Sequence, residues 1–215
     1  MALPRVTCLA NGVFEENCYV LADPDTARAV LIDPGEDADL FLGWLEAERL
    51  TLEAIWLTHA HIDHVAGVAE VVQRTGVPVH LHPDDRPLYD HVAEQGAWLG
   101  VRAPQPPPPD HDLADGGTVQ VGSIAFEVRH VPGHSPGSVA FVGYGVALVG
   151  DLVFAGSVGR IDLPGGSAAT LLDSIRRHLL TLPDDTVLYP GHGPETTVGE
   201  ERHSNPFLTG EIRLV

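Results

Sequence analysis

The sequence has little from which to build a disulfide framework, a membrane span or a nucleic-acid interface. Cysteine occurs twice in 215 residues, as Cys8 and Cys18, and neither belongs to a C-x-x-C pair. Disulfide stapling and thiolate metal sites are thereby set aside, and both cysteines read as small apolar residues near the first strands. No apolar run reaches the ~18 consecutive residues of a membrane-spanning helix, so no membrane partner is expected. Positive charge is scarce, with 12 Lys+Arg against 30 Asp+Glu and a formal net charge of −18. Such a surface repels phosphate backbones and argues against nucleic acid as a partner. The start, "MALPRVTCLANG", has neither the charged head nor the apolar stretch of a signal peptide, and a cytoplasmic location is the expectation. The sequence carries no signal of oligomeric state.

Apolar residues make up 44% of the chain, enough for one sizeable core, and residues 1–215 read as a single domain. "ENCYVLAD" and "RAVLIDPG" read as strands, the second closing on Pro34-Gly35. Asp37–Leu50 has the spacing of a helix, Leu40 and Phe41 being followed four positions later by Trp44 and Leu45. "AIWLTH" is a short buried strand, "HVAGVAEVVQRTG" a helix stopped by Gly76, and "VPVHLH" another strand. The proline-rich stretch 101–112, "VRAPQPPPPDHD", excludes helix and central strand, and two αβ halves are expected to join near 101–117. Beyond it "GTVQVG", "IAFEVRHV", "SVAFVGYG" and "VALVGDLVF" read as strands, 168–182 as a helix and "TVLYPGHG" as a strand. The fold class is α/β, two sheets face to face with helices outside, a four-layer αββα sandwich.

Histidine is abundant, with twelve copies, and five of them sit in ordered motifs. "LTHAHIDH" places His59, His61, Asp63 and His64 within six residues, directly after an apolar strand. His59 and His61 share a face of extended chain. His134 in "VPGHSPGS", Asp151 in "LVGDLVF" and His192 in "YPGHGP" repeat one grammar, a strand end, a glycine and then a ligand-type side chain. Taken singly, Asp63 could cap the next helix and His134 or His192 could be turn residues. Together, five imidazoles and two carboxylates suffice for two divalent metal ions, zinc first and iron or manganese as alternatives, since no thiolate narrows the choice. Two such cations acidify a shared water to a pKa of roughly 7 and polarise a carbonyl. His80 and His82 in "VHLHP" have no accompanying motif and read as exposed strand-end histidines.

"THAHIDH", "PGHSPGS", "GDLVF" and "PGHGP" resemble, in order and across nearly the whole chain, the signature of the metallo-β-lactamase fold superfamily. "GDLVFAGSVGRIDLPGG" is similar to the glyoxalase II (hydroxyacylglutathione hydrolase) group, especially its short single-domain members. The resemblance implies that His59, His61 and His134 hold a first metal, Asp63, His64 and His192 a second, and that Asp151 bridges them. It implies a substrate-binding role for Arg160, nine positions after Asp151, for which a surface salt bridge is the alternative. Two positions further on, that group has an aromatic residue where this chain has Asp162.

The activity expected is metal-dependent hydrolysis of a small (hydroxyacyl) thioester such as S-lactoylglutathione by a metal-bound hydroxide, with Asp63 orienting the nucleophile as well as binding metal. A thiol leaving group, with an ordinary pKa of about 8.5, departs as thiolate without a dedicated acid. Two other readings stand beside it. One is a mononuclear-iron persulfide dioxygenase of the same fold, which "GRID" also fits; the other is a non-catalytic metal-binding interaction protein.

Overall fold

The structure is a computed structural model that describes residues 3–214. Six strands form a first sheet in sequence order: β1 (Arg5–Asn11), β2 (Glu16–Asp23), β3 (Arg28–Ile32), β4 (Thr51–Trp56), β5 (Val79–Leu81) and β6 (His111–Asp112). Strands β1 to β3 pair antiparallel, and β3 to β6 run parallel, with Ile32 beside Trp56 and Ile55 beside Val79. The second sheet holds β7 (Thr118–Val121), β8 (Ile124–His130), β9 (Val139–Gly143) and β10 (Val146–Gly150). A separate hairpin, β11 (Val153–Phe154) and β12 (Ser157–Val158), intervenes before β13 (Val187–Pro190) and β14 (Thr196–Thr197) complete that sheet.

Helices cover the outer faces. Beside the first sheet lie α1 (Ala38–Ala47), α2 (Ile62–Val65), α3 (Val68–Thr75), α4 (Arg86–Tyr89) and α5 (Val92–Leu99). The second sheet is covered by α6 (Ala168–Ser174), which runs into a π-helical turn at Ile175–Leu179, and by α7 (Val198–Ser204) and α8 (Pro206–Thr209). Among the described residues no helix is long and apolar enough to cross a membrane.

The sandwich follows from central strands that are apolar on both faces. Alternate side chains point to opposite sides of a strand. In β2, Cys18, Val20 and Ala22 therefore pack under the helices, while Tyr19 and Leu21 face the other sheet. In β4, Ile55 joins the helical side and Trp56 the inter-sheet layer, where its ring centroid lies 5.3 Å from that of Phe141 and 6.4 Å from that of Phe126. A third apolar layer joins Val149 and Leu188 to Leu171, Ile175 and Val198. Each fully buried large side chain contributes roughly 1.5–3 kcal/mol. Three apolar layers between four backbone layers thus fix the architecture. The αββα arrangement is the one expected from sequence.

Local boundaries differ from expectation in ways that matter for the site. The helix expected across "HVAGVAEVVQRTG" is broken in two at Ala66-Gly67. Gly67 donates its N–H to the Pro34 carbonyl oxygen at 3.1 Å, and a Cβ there would collide with the carbonyl oxygen of Gly35. "VALVGDLVF" is not one strand, because β10 ends at Gly150 and frees Asp151. Strand β1 and the helical segment 83–99 had no counterpart in the sequence reading.

Two glycine substitutions separate close approach from mere flexibility. Gly67→Ala should cost about 2 kcal/mol, lowering the thermal midpoint by roughly 4–8 °C for a chain of this size. Gly43→Ala, on the exposed face of α1 with open space around it, should instead stabilise by about 0.5–1 kcal/mol. Thermal denaturation of the two variants checks both signs.

Candidate metal centre

Both sheets deliver their chemistry at strand ends on one rim. Beyond β4 come His59 and His61, α2 carries Asp63 and His64, and the β8–β9 connection carries His134. Asp151 directly follows β10, and His192 stands two residues past β13. Gly133 and Gly150 turn the chain with φ of +134° and +50°. At Gly191 any Cβ would strike Asp151 Oδ1 and come within 2.6 Å of His64 Cε1, so only glycine lets the strand end approach.

The first cluster is His59, His61 and His134. His134 Nε2 lies 2.8 Å from His61 Nδ1 and 3.2 Å from His59 Nε2. Partners assign the protons. His134 Nδ1 donates to the Arg160 carbonyl oxygen at 2.9 Å, so its Nε2 is bare. Thr58 Oγ1 donates to Asp33 Oδ2 and therefore accepts from His59 Nδ1 at 3.0 Å, which leaves His59 Nε2 bare as well. Two lone pairs thus face each other in a buried site. An added proton does not relieve the His59–His134 contact, because burial, with the neighbouring imidazoles, holds His59 well below its ordinary pKa and His61 down at about 3.

The second cluster is Asp63, His64 and His192. His64 Nδ1 donates to Asp33 Oδ2 at 3.0 Å, which aims Nε2 at Asp151 Oδ1 (3.4 Å) and Asp63 Oδ2 (3.7 Å). His192 Nε2 donates to Asp63 Oδ2 at 3.1 Å. Asp151 Oδ2 stands 3.5 Å from His134 Nε2 and 3.8 Å from His192 Nε2, between the two groups. Burial alone would lower the His64 pKa, but the Asp151 and Asp63 carboxylates raise it well above the ordinary value. Asp63 is held below the usual carboxylate range, burial being outweighed by His64 and the His192 hydrogen bond.

His64 Nε2 and Asp151 Oδ1 are buried without a hydrogen-bond partner. Orphaned buried polar atoms are rare and require compensation. Together with the opposed imidazole lone pairs, they show that these histidines and aspartates suit a dinuclear metal site. The nitrogen and oxygen donor set accepts zinc, iron or manganese.

All seven sequence-predicted ligands are brought together. Asp63 is not a helix cap, since His61 holds the N-cap position of α2 and makes no side-chain capping bond. Arg160 lines the cleft above the cluster, but its guanidinium forks onto Asp162 at 2.7 and 2.8 Å, with both side chains exposed. Its carbonyl, rather than its charge, is what holds His134. His80 and His82 are not the exposed strand-end residues expected. His82 is buried and stacks on His130 at 4.0 Å and 10°, and His80 meets the His111 ring at 4.6 Å. Parallel stacking keeps the in-plane lone pairs of His82 and His130 from converging on one ion, so no metal is assigned there.

Three positioning carboxylates escaped sequence reasoning. Asp33 accepts from Thr58 N (2.7 Å), Thr58 Oγ1 and His64, fixing His64 and, through Thr58, His59. Asp85 accepts from Ala60 N (2.9 Å), Ser135 Oγ (2.8 Å) and Gly137 N (2.6 Å), tying the His59–His61 and His134 loops together. Glu16 lies behind His64, its Oε2 accepting from Asn11 Nδ2 at 2.7 Å, and burial raises its pKa well above the carboxylate range. Beside it, Asn17 Nδ2 donates to the carbonyls of Pro190 (3.0 Å) and Gly193 (2.8 Å), locking the His192 loop onto the first sheet. The aspartate in "LIDPG" stands at a parallel-strand end, and that was the one local signal available.

This combination of a two-sheet sandwich and a histidine–aspartate pocket on its rim defines a class. Residues 11–192 match the metallo-beta-lactamase superfamily, and the chain belongs to it. It is 37% identical over 202 residues to the hydroxyacylglutathione hydrolase GloC of Haemophilus influenzae, covering 92% of this chain and 95% of that one. Among solved structures it is similar to the B3 metallo-beta-lactamase BLEG-1 (TM-score 0.89, 41% identity, 96% of this chain and 100% of that one). It is also similar to a protein crystallised in a di-iron-bound form (TM-score 0.86, 43% identity, 94% and 100%).

Removing a ligand's positioning partner should loosen the metals without touching a ligand. Asp33→Asn is expected to weaken metal affinity about 10–100-fold. Competition with a chromophoric chelator measures this, and an unchanged affinity would contradict the role given to Asp33.

Proposed function

We propose that the protein is a metal-dependent hydrolase of small thioesters of the S-(hydroxyacyl)thiol type, S-lactoylglutathione being the reference substrate. The observation that carries the reading is the convergence of His59, His61, His134, Asp63, His64, His192 and Asp151 at the floor of an open cleft. In this proposal the first three residues hold one divalent ion and the next three another, with Asp151 between them and zinc the first choice. Ions so held would supply Lewis acidity toward a carbonyl and an acidified water. The similarity to a hydroxyacylglutathione hydrolase supports the thioester as substrate class.

The chain's own groups divide the remaining work. Asp63, kept ionised and partly buried at the cleft floor, accepts a hydrogen bond and so orients an attacking water rather than donating a proton. His192 Nε2 lies 3.1 Å from Asp63 Oδ2, close enough for the two to share an ion once that nitrogen gives up its proton. The Arg160 carbonyl and Asp33 accept from His134 Nδ1 and His64 Nδ1, which aims each Nε2 atom into the cluster. No proton donor is needed on the leaving side, since a thiol departs as thiolate.

The similarity to a B3 metallo-beta-lactamase favours a second reading, cleavage of a β-lactam amide by the same groups. There the leaving nitrogen needs a proton, which thiolate departure does not. Oxygen consumption with a thiol persulfide separates the dioxygenase reading.

The metal-loaded protein should release thiol from S-lactoylglutathione or another lactoyl thioester much faster than it opens a β-lactam, with no oxygen uptake. His59→Ala and His134→Ala should each lower that rate at least 100-fold and lose bound metal. Full thiol release by metal-free variants, or exclusive β-lactam turnover, would contradict the proposal.

A further inference from the structure

The cleft over the metal centre is walled largely by apolar side chains. It measures about 370 Å³ and joins His61, Asp63, His134 and Asp151 to Ile62, Leu88, Trp98 and Leu99. Trp98 is 83% exposed and Leu99 58% exposed, both at the end of α5. Their placement against the ligands is fixed, because Gln95 on the same helix donates its amide to the Ala60 carbonyl (3.3 Å), between His59 and His61, and to the Leu88 carbonyl (2.8 Å). Large apolar groups left open beside a polar centre mark a surface that something apolar covers.

Charge points the same way. The chain has no lysine, and Arg160 is the one cation lining this cleft among the described residues. Its fork onto Asp162 leaves little unpaired positive charge, and the chain as a whole carries −18. A carrier thiol bearing free carboxylates would enter a negative field and find no unpaired side-chain cation on the wall. Where the acyl group is a small hydroxyacyl unit, the bulk that fills the cleft is the carrier.

We propose that the cleft selects thioesters whose carrier thiol is uncharged and apolar, an alkyl- or arylthiol seated on Trp98, Leu99 and Leu88, over carboxylate-bearing carriers such as glutathione. This rests on the hydrolase reading for its chemistry and on the cleft alone for its selectivity. The experiment keeps the lactoyl group constant and varies the carrier among 2-phenylethanethiol, N-acetylcysteamine and glutathione, using metal-loaded protein. The expected kcat/KM is at least tenfold higher for the phenylethyl carrier than for glutathione, and Trp98→Ala reduces that ratio at least fivefold, chiefly through KM. Calorimetry with the matching thioethers, in which CH2 replaces the carbonyl, reads binding without turnover.

A glutathione carrier that equals or exceeds the apolar one in both measurements overturns the selectivity while leaving hydrolysis standing. Apolar thioethers that bind better, with that preference lost in Trp98→Ala, support the cleft assignment even when no thioester turns over, an outcome that sinks the hydrolase reading alone. No measurable binding of any thioether overturns the assignment. So does a dimer that Trp98→Ala converts to monomer with carrier preference unchanged, since the patch then belongs to a second copy of the chain.

Discussion

Bare imidazole nitrogens of His59 and His134 face each other at 3.2 Å, and His64 Nε2 is crowded against two carboxylates, all in a site largely closed to water. Neutral lone pairs brought so close raise the energy of the fold unless a cation lies among them. Divalent ions held there would convert that cost into binding energy, and for a site of this kind metal uptake and folding stability are coupled.

The scaffold keeps the crowded groups from moving apart. Three apolar layers set the two sheets, and the strand ends then converge on one rim. Buried Asp85 joins two ligand loops, Asp33 holds two histidines through one carboxylate, and Asn17 pins a third loop to the opposite sheet. Glu201 extends the pattern outward: it accepts from Thr196 Oγ1, Asn205 Nδ2 and Gly156 N, tying α7 to the hairpin whose Phe154 lies beside His192. Ligands of this kind are positioned by hydrogen bonds to their far sides, and in metalloproteins such partners tune affinity nearly as much as the ligands themselves.

The seven clustered histidines and aspartates were legible in the sequence because each belongs to a short local motif, a strand end followed by glycine or by the next helix. The sandwich was legible because its central strands are apolar on both faces. The supporting carboxylates were not, since Asp33 acts on residues 25 and 31 positions away and Asp85 on one 52 positions away, and no local pattern announces such a contact. The break at Ala66-Gly67 was hidden because the apolar spacing on either side is that of one continuous helix, whereas the cause is the backbone of Gly35 pressed against it. His82 looked like an exposed residue for the same reason: its stacking partner, His130, lies on the other sheet.

A metal titration of chelator-stripped protein tests whether the buried histidine–aspartate cluster holds cations. Two equivalents of a divalent metal per chain should bind and raise the thermal midpoint, the second equivalent being lost when Asp151 is replaced by Ala. A stripped protein that is fully stable and takes up no metal would contradict the account.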